Sequence, residues 1–204
     1  MMIPLVIRAG SLKNMIRRFI AKTFWALGPW TLKSEEPPHY PSIYVAAPHT
    51  SNWDFILMLA VAWYCRVDMM WMGKKSLFEG WGGPIMRKLH GLPVDRENPK
   101  AVVDEIVARV DEAKTAGLVI APDGSRGKNP YWKSGFYRIA QKTGMPVTLA
   151  YVDRPTKTVG LGPTFELTGN VGEDMDRIRA FFADKHGFRP ENRVEPRLRM
   201  EENG

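Results

Sequence analysis

The chain has 204 residues, 44% of them hydrophobic and 25% charged, which suits one well-buried core and leaves too little for two. A single cysteine excludes an internal disulfide, and the four histidines are scattered without cysteine partners, so no structural metal is expected. The net charge of +7 is concentrated: Arg8, Lys13, Arg17, Arg18, Lys22 and Lys33 all precede the first acid, Glu35, leaving 23 basic against 22 acidic residues in the remainder.

The first predicted element is a helix. Leu12, Met15, Ile16, Phe19, Ile20, Thr23, Phe24 and Leu27 recur at helical spacing, with Lys13, Asn14, Arg17, Arg18 and Lys22 on the other side. Followed by Trp25 and Trp30, this pattern predicts a basic amphipathic segment over residues 1–34 that lies in the headgroup layer of an anionic membrane. It also fits a helix that turns its apolar face onto its own domain, and its composition resembles that of a mitochondrial transit peptide. The longest apolar run, residues 55–65, falls well short of the roughly 20 residues a spanning helix needs. The expectation is therefore a peripheral protein on the cytoplasmic, inner face of a membrane. A pI of about 9.6 raises nucleic-acid binding, but the excess charge lies on one helix and no such motif is present, so no nucleic-acid partner is expected.

After the breaker cluster Glu35-Glu36-Pro37-Pro38, short apolar runs alternate with amphipathic ones over residues 35–204. Strands are expected at 42–47, 69–72, 92–94, 118–121, 146–152 and 158–161. Helices are expected at 55–65, 85–89, 136–143, closed by Gly144, and 173–185. A further helix begins with Asn98 as cap and Pro99 at its first position, carries Val102, Val103, Ile106, Val107 and Val110, and ends at Gly117. The last dozen residues, rich in Arg, Glu and Pro, are expected to be mobile or lightly docked. The fold class is α/β: one domain with a mixed, largely parallel sheet flanked by helices, preceded by the amphipathic helix.

His49 and Asp54, in His49-Thr50-Ser51-Asn52-Trp53-Asp54, straddle a strand-to-helix junction, the layout of a general base oriented by a carboxylate. Ser51-x-x-Asp54 equally fits a capping box, in which Asp54 only satisfies backbone donors. Arg96 and the turn Asp123-Gly124-Ser125-Arg126 also follow short strands. In a largely parallel sheet such junctions converge on one crevice. A base with at least two arginines suits a substrate bearing a hydroxyl and a phosphate, because guanidinium offers a planar fork to phosphate oxygens. Lys74 and Lys75 either add charge at the rim or are solvated surface. The stretch 124–128 lacks the spacing of a nucleotide phosphate loop, and no G-x-S-x-G elbow is present.

Taken in order, these segments resemble the lysophospholipid and glycerolphosphate acyltransferase family, of the 1-acylglycerol-3-phosphate acyltransferase kind. His49 to Asp54 is similar to its H-x-x-x-x-D block, Gly91-Leu92-Pro93-Val94-Asp95-Arg96 to its second block, and Pro122-Asp123-Gly124-Ser125-Arg126 to its P-E-G-T-R block, with Asp for Glu and Ser for Thr. Met145-Pro146-Val147 stands where a V-P-[IV] block is expected. The resemblance implies an O-acyltransferase with no bound cofactor that takes its acyl group from acyl-CoA or acyl-ACP and passes it to a lysophospholipid acceptor. It implies His49 and Asp54 as the catalytic pair, and Arg96, Asp123, Gly124, Ser125, Arg126 and Lys75 as substrate-binding residues. A lyso-aminolipid acceptor, and a non-catalytic lipid-binding role, are the alternatives.

Overall fold

A computed structural model describes residues 12–38, 41–94, 103–108, 117–124 and 129–203. In chain order the elements are α1 (Leu12–Leu27), β1 (Thr31–Leu32), β2 (Ile43–Ala47), α2 (Trp53–Cys65), β3 (Met69–Lys74), a 3₁₀ turn (Lys75–Phe78), α3 (Gly83–Lys88) and β4 (Gly91–Val94). They continue with α4 (103–108, the described part of the helix expected there), β5 (Gly117–Ile120), α5 (Gly135–Thr143), β6 (Val147–Asp153), β7 (Thr158–Phe165) and α6 (Val171–Phe182).

The seven strands form one sheet in the order β1-β7-β6-β2-β5-β3-β4. The five from β6 to β4 run parallel, β7 is antiparallel to β6, and β1 pairs with β7 in parallel. This is the mixed, largely parallel α/β sheet that the alternation of runs predicts. β2 shows why the arrangement is stable, because alternate side chains serve opposite faces. Ile43, Val45 and Ala47 join α5 and α6 through Phe136, Ile139, Met175 and Ile178. Tyr44 points the other way and packs with Leu57, Val61 and Trp71. With both faces covered, the central strands read as continuous apolar runs.

Local stops agree with the residue chemistry. Gly144 takes a left-handed φ of 68° and its N–H returns to the Ala140 carbonyl, closing α5. The Asn170 side chain accepts from the N–H groups of Gly172 and Glu173 and starts α6.

Four features add to or correct the sequence reading. Gly117, expected to follow a helix end, is the first residue of β5, paired with Met69 and buried, while the helix end itself and the Asn98 and Pro99 start lie outside the described residues. The two-residue strand β1 was not expected; it is held by the sheet register at Thr158 and Val159 rather than by any pattern of its own. The C-terminal dozen is not lightly docked. Leu198 is fully buried, Val194 nearly so, and the Trp132 indole donates to the Val194 carbonyl at 3.1 Å. Finally, α1 packs on α2 through its Arg17, Ala21 and Trp25 side and leaves its apolar stripe outward, with Leu12, Phe19 and Leu27 more than two thirds exposed. Among the described residues no helix is long and apolar enough to cross a membrane.

Candidate active site

α2 leaves β2 toward one face of the sheet, whereas α5 follows β5 toward the other. β2 and β5 are neighbours whose following helices diverge, and open α/β sheets bind ligands at such a point, beyond the carboxyl ends of the strands. His49 follows β2 by two residues, after a cis Ala47–Pro48 peptide, and Asp123 follows β5.

The His49 Nδ1 lies 3.2 Å from Asp54 Oδ2, with the imidazole about a quarter exposed and the carboxylate 9% exposed. The same Oδ2 accepts the N–H groups of Thr50 and Ser51, each at 2.7 Å. Asp54 therefore ties down the backbone ahead of α2, as the capping reading expects, and the same anchored oxygen stands beside the ring. The opposite ring nitrogen, Nε2, takes no part in that contact.

Asp123 is 1% exposed, and its Oδ2 accepts the backbone N–H of His49. Burial pushes its carboxyl up to about 6, against the lowering effect of that N–H. Its short side chain thus reaches the base loop and ties the β5 junction to the β2 junction. Asp54 Oδ1 and Asp123 Oδ1 are both buried without a hydrogen-bond partner among the described residues. Gly124 adopts a φ of +30°, a backbone position that favours glycine.

The other expected residues divide. Lys75 begins the 3₁₀ turn after β3, at the same sheet edge but with β5 between it and β2, roughly 10 Å across two strand spacings. Exposed there, it lines a cavity of about 270 Å³ with Phe78, Arg87, Pro93, Val94 and Glu105. Arg96, Ser125 and Arg126 lie outside the described residues. Among the described residues no group of three or more His, Cys, Asp or Glu is placed to hold a metal.

Sequence reasoning missed a third support of the base loop. Thr50 is 1% exposed, and its Oγ1 accepts the N–H of Arg189 at 3.2 Å. Gly187 packs so closely that a Cβ there would stand 2.4 Å from Thr50 Oγ1. The partners lie 139 residues apart, so no local pattern could reveal the contact.

Residues 32–152 match the sequence model of a family described as Acyltransferase. The chain is 30% identical over 144 residues to a 1-acyl-sn-glycerol-3-phosphate acyltransferase of Bacillus subtilis (strain 168), a match covering 69% of this chain and 70% of that protein. It is 28% identical over 148 residues to a protein of the same name from Streptococcus pneumoniae (strain ATCC BAA-255 / R6), covering 70% and 54%. Among solved structures, the 1-acyl-sn-glycerophosphate (LPA) acyltransferase PlsC from Thermotoga maritima shares the fold, with a TM-score of 0.54 at 16% identity over 85% of this chain and 79% of that one.

Proposed function

The chain belongs to the acyltransferase family, and from that premise we propose that it moves a fatty acyl group from a thioester to the free hydroxyl of lysophosphatidic acid, with His49 as general base. The single observation that supports this most strongly is the His49–Asp54 pair at the sheet's carboxyl edge, its carboxylate oxygen already fixed by two backbone donors.

His49 Nε2 removes the hydroxyl proton as the acceptor oxygen attacks the thioester carbonyl carbon. Nδ1 of the imidazolium so formed faces Asp54, whose charge stabilises it. As the tetrahedral intermediate collapses, the C–S bond breaks, the sulfur takes the proton back from Nε2, and an ester and a free thiol leave. No acyl-enzyme forms. The acceptor's phosphate is assigned to Arg96 and Arg126, with Lys75, Gly124 and Ser125 as further contacts, so that binding energy holds the hydroxyl against the base. Asp123 acts from beneath by holding the His49 backbone. The thioester is carried by coenzyme A or acyl carrier protein. The outward apolar stripe of α1 supports peripheral attachment to the inner, cytoplasmic face of an anionic membrane, where an insoluble acceptor and product reside.

The test is purified protein with palmitoyl-coenzyme A and a panel of lysolipids, followed by free thiol release. Release that requires lysophosphatidic acid and disappears in His49→Ala is expected. Release that persists in the variant, or that needs no acceptor, overturns the reading.

A further inference from the structure

Every large hydrophobic side chain that is exposed among the described residues belongs to one layer of the molecule. Leu12, Met15, Ile16, Phe19, Ile20 and Leu27 are on α1; Trp53, Ile56 and Tyr64 are on α2; Leu77, Trp81 and Ile85 are on the excursion between β3 and β4. None is on α5, α6 or the strands. A scatter of surface apolar residues needs no explanation, but a one-sided set of this size does.

The excursion is built to hold its exposed residues outward. Phe78, 3% exposed, stacks on Trp71 at 5.7 Å and anchors the 3₁₀ turn under α2's neighbouring layer. Arg87 Nη1 donates to the Phe78 carbonyl at 2.9 Å, which fastens α3 to that turn. A Cβ at Gly83 would lie 2.2 Å from the same carbonyl oxygen, so the two pieces pack in close contact. Above this anchored base Trp81 is 92% exposed, with Leu77 and Ile85 about half exposed. Lys74, Lys75, Arg87 and Lys88 are exposed on the same excursion, against two acids, Glu79 on it and Glu105 across the cavity that Lys75 and Arg87 line. Aromatic and aliphatic tips accompanied by cations are the composition that enters the headgroup region of an anionic bilayer.

We propose that the Leu77–Trp81–Ile85 tip is a second lipid-contact surface, separate from α1, that inserts into an anionic membrane and seats the whole α1–α2–α3 layer against it. The excursion starts at the carboxyl edge of the sheet, and Trp53 and Ile56 emerge in the first turns of α2 just beyond His49. Contact along this layer holds the crevice at the lipid surface from two sides rather than from a single tether. The inference rests on the lipid-acceptor reading above.

The experiment uses the full chain in a Cys65→Ser background, which removes its only cysteine, with an environment-sensitive fluorophore attached through Trp81→Cys. Vesicles of phosphatidylglycerol with phosphatidylcholine are compared with vesicles of phosphatidylcholine alone. The expected result is a blue shift on the anionic vesicles that persists when Ile16→Ser and Phe19→Ser disable the α1 stripe. Trp81→Ala with Leu77→Ser should bind those vesicles roughly tenfold more weakly. Thiol release with a short-chain, water-soluble acceptor should be unchanged in that variant. An unshifted probe, or parental vesicle binding by Trp81→Ala with Leu77→Ser, overturns the proposal. So does a shift seen with an acidic acyl carrier protein but not with vesicles, which would make the tip a protein-docking surface. Normal turnover with an unshifted probe sinks only this inference, whereas absent turnover sinks the acyltransferase mechanism.

Discussion

Asp54 Oδ2 accepts two backbone N–H groups and stands 3.2 Å from Nδ1 of His49, and this double engagement lets its two roles be tested separately. Asp54→Asn keeps an acceptor oxygen for the Thr50 and Ser51 N–H groups but removes the charge that stabilises imidazolium. The expected outcome is a fall in kcat of about 10²-fold or more with a near-normal KM, since the lost interaction strengthens only as His49 takes the proton. Thermal unfolding should change little; a large drop in Tm with kcat preserved would show Asp54 to be a cap alone. Asp123 gives a second, opposite signature. Its carboxyl is raised from 3.8 to about 6, so between those values the native chain holds a proton that the unfolded chain has released. Its contribution to stability is therefore greatest at low pH and falls as pH rises through that window. Asp123→Asn keeps an acceptor for the His49 N–H and has nothing to ionise. Between pH 4 and 7 the variant should lose less stability than the parent, by about 2–3 kcal/mol at most, read from denaturant unfolding at several pH values. Equal pH slopes in the two proteins would mean that the buried carboxyl is not strained.

The base loop is clamped from its own helix, from β5 and from the segment that follows α6, and the third of these clamps belongs to the scale of elements. Gly187→Ala places a methyl group against the Thr50 side chain, an overpacking that costs about 1–3 kcal/mol. Because Thr50 lies next to His49, kcat should fall more than KM rises, and Gly187→Ala combined with Thr50→Ala, which removes both the hydroxyl and the methyl that the new Cβ would meet, should recover part of it. Failure of the double variant to recover any turnover would remove the segment from the positioning of His49. Leu198→Ala tests the same tail further along, with an expected loss of about 2–5 kcal/mol, since that side chain is fully buried. The tail also shows what was legible in the sequence. The period of apolar residues revealed β2, α2 and α5, the alternation of strands and helices revealed the largely parallel character of the sheet, and a local five-residue spacing pointed to the proximity of His49 and Asp54. The tail carries no period. Its Val194 and Leu198 sit among Arg, Glu and Pro, and they are buried because Trp132 and Phe182 offer a surface for them, information that exists only in three dimensions. β1 was hidden for the same reason, being two residues selected by the register of β7.

At the scale of the whole molecule the two faces of the sheet differ: α5 and α6 close one face as ordinary core, while the α1–α2 layer carries the outward apolar surface. The sequence pattern of α1 suggests that its cations supply much of the membrane affinity, but the packing redistributes that role. Arg17 lies over the Trp63 ring of α2 at 5.7 Å, and both it and Arg18 are partly buried, whereas Lys22 remains exposed. A cation engaged in packing has less charge to offer a headgroup, while Leu12, Met15, Phe19 and Leu27 stand fully outward. The apolar term should therefore dominate. Removing Phe19 and Ile16 together as serines should weaken vesicle binding by about tenfold or more, whereas Lys22→Gln should cost about 1 kcal/mol, near fivefold. Raising the ionic strength from 0.05 to 0.5 M, which compresses the screening length below about 10 Å, should then reduce binding only modestly. Co-sedimentation with anionic vesicles at both salt concentrations ranks the two terms directly. If Lys22→Gln or high salt releases the protein while the serine variant stays bound, the attachment is electrostatic and the outward stripe has another partner. Arg17→Gln provides the remaining distinction, because loss of its stacking on Trp63 should loosen α1 from α2 and lower Tm while leaving the lipid-facing stripe chemically intact.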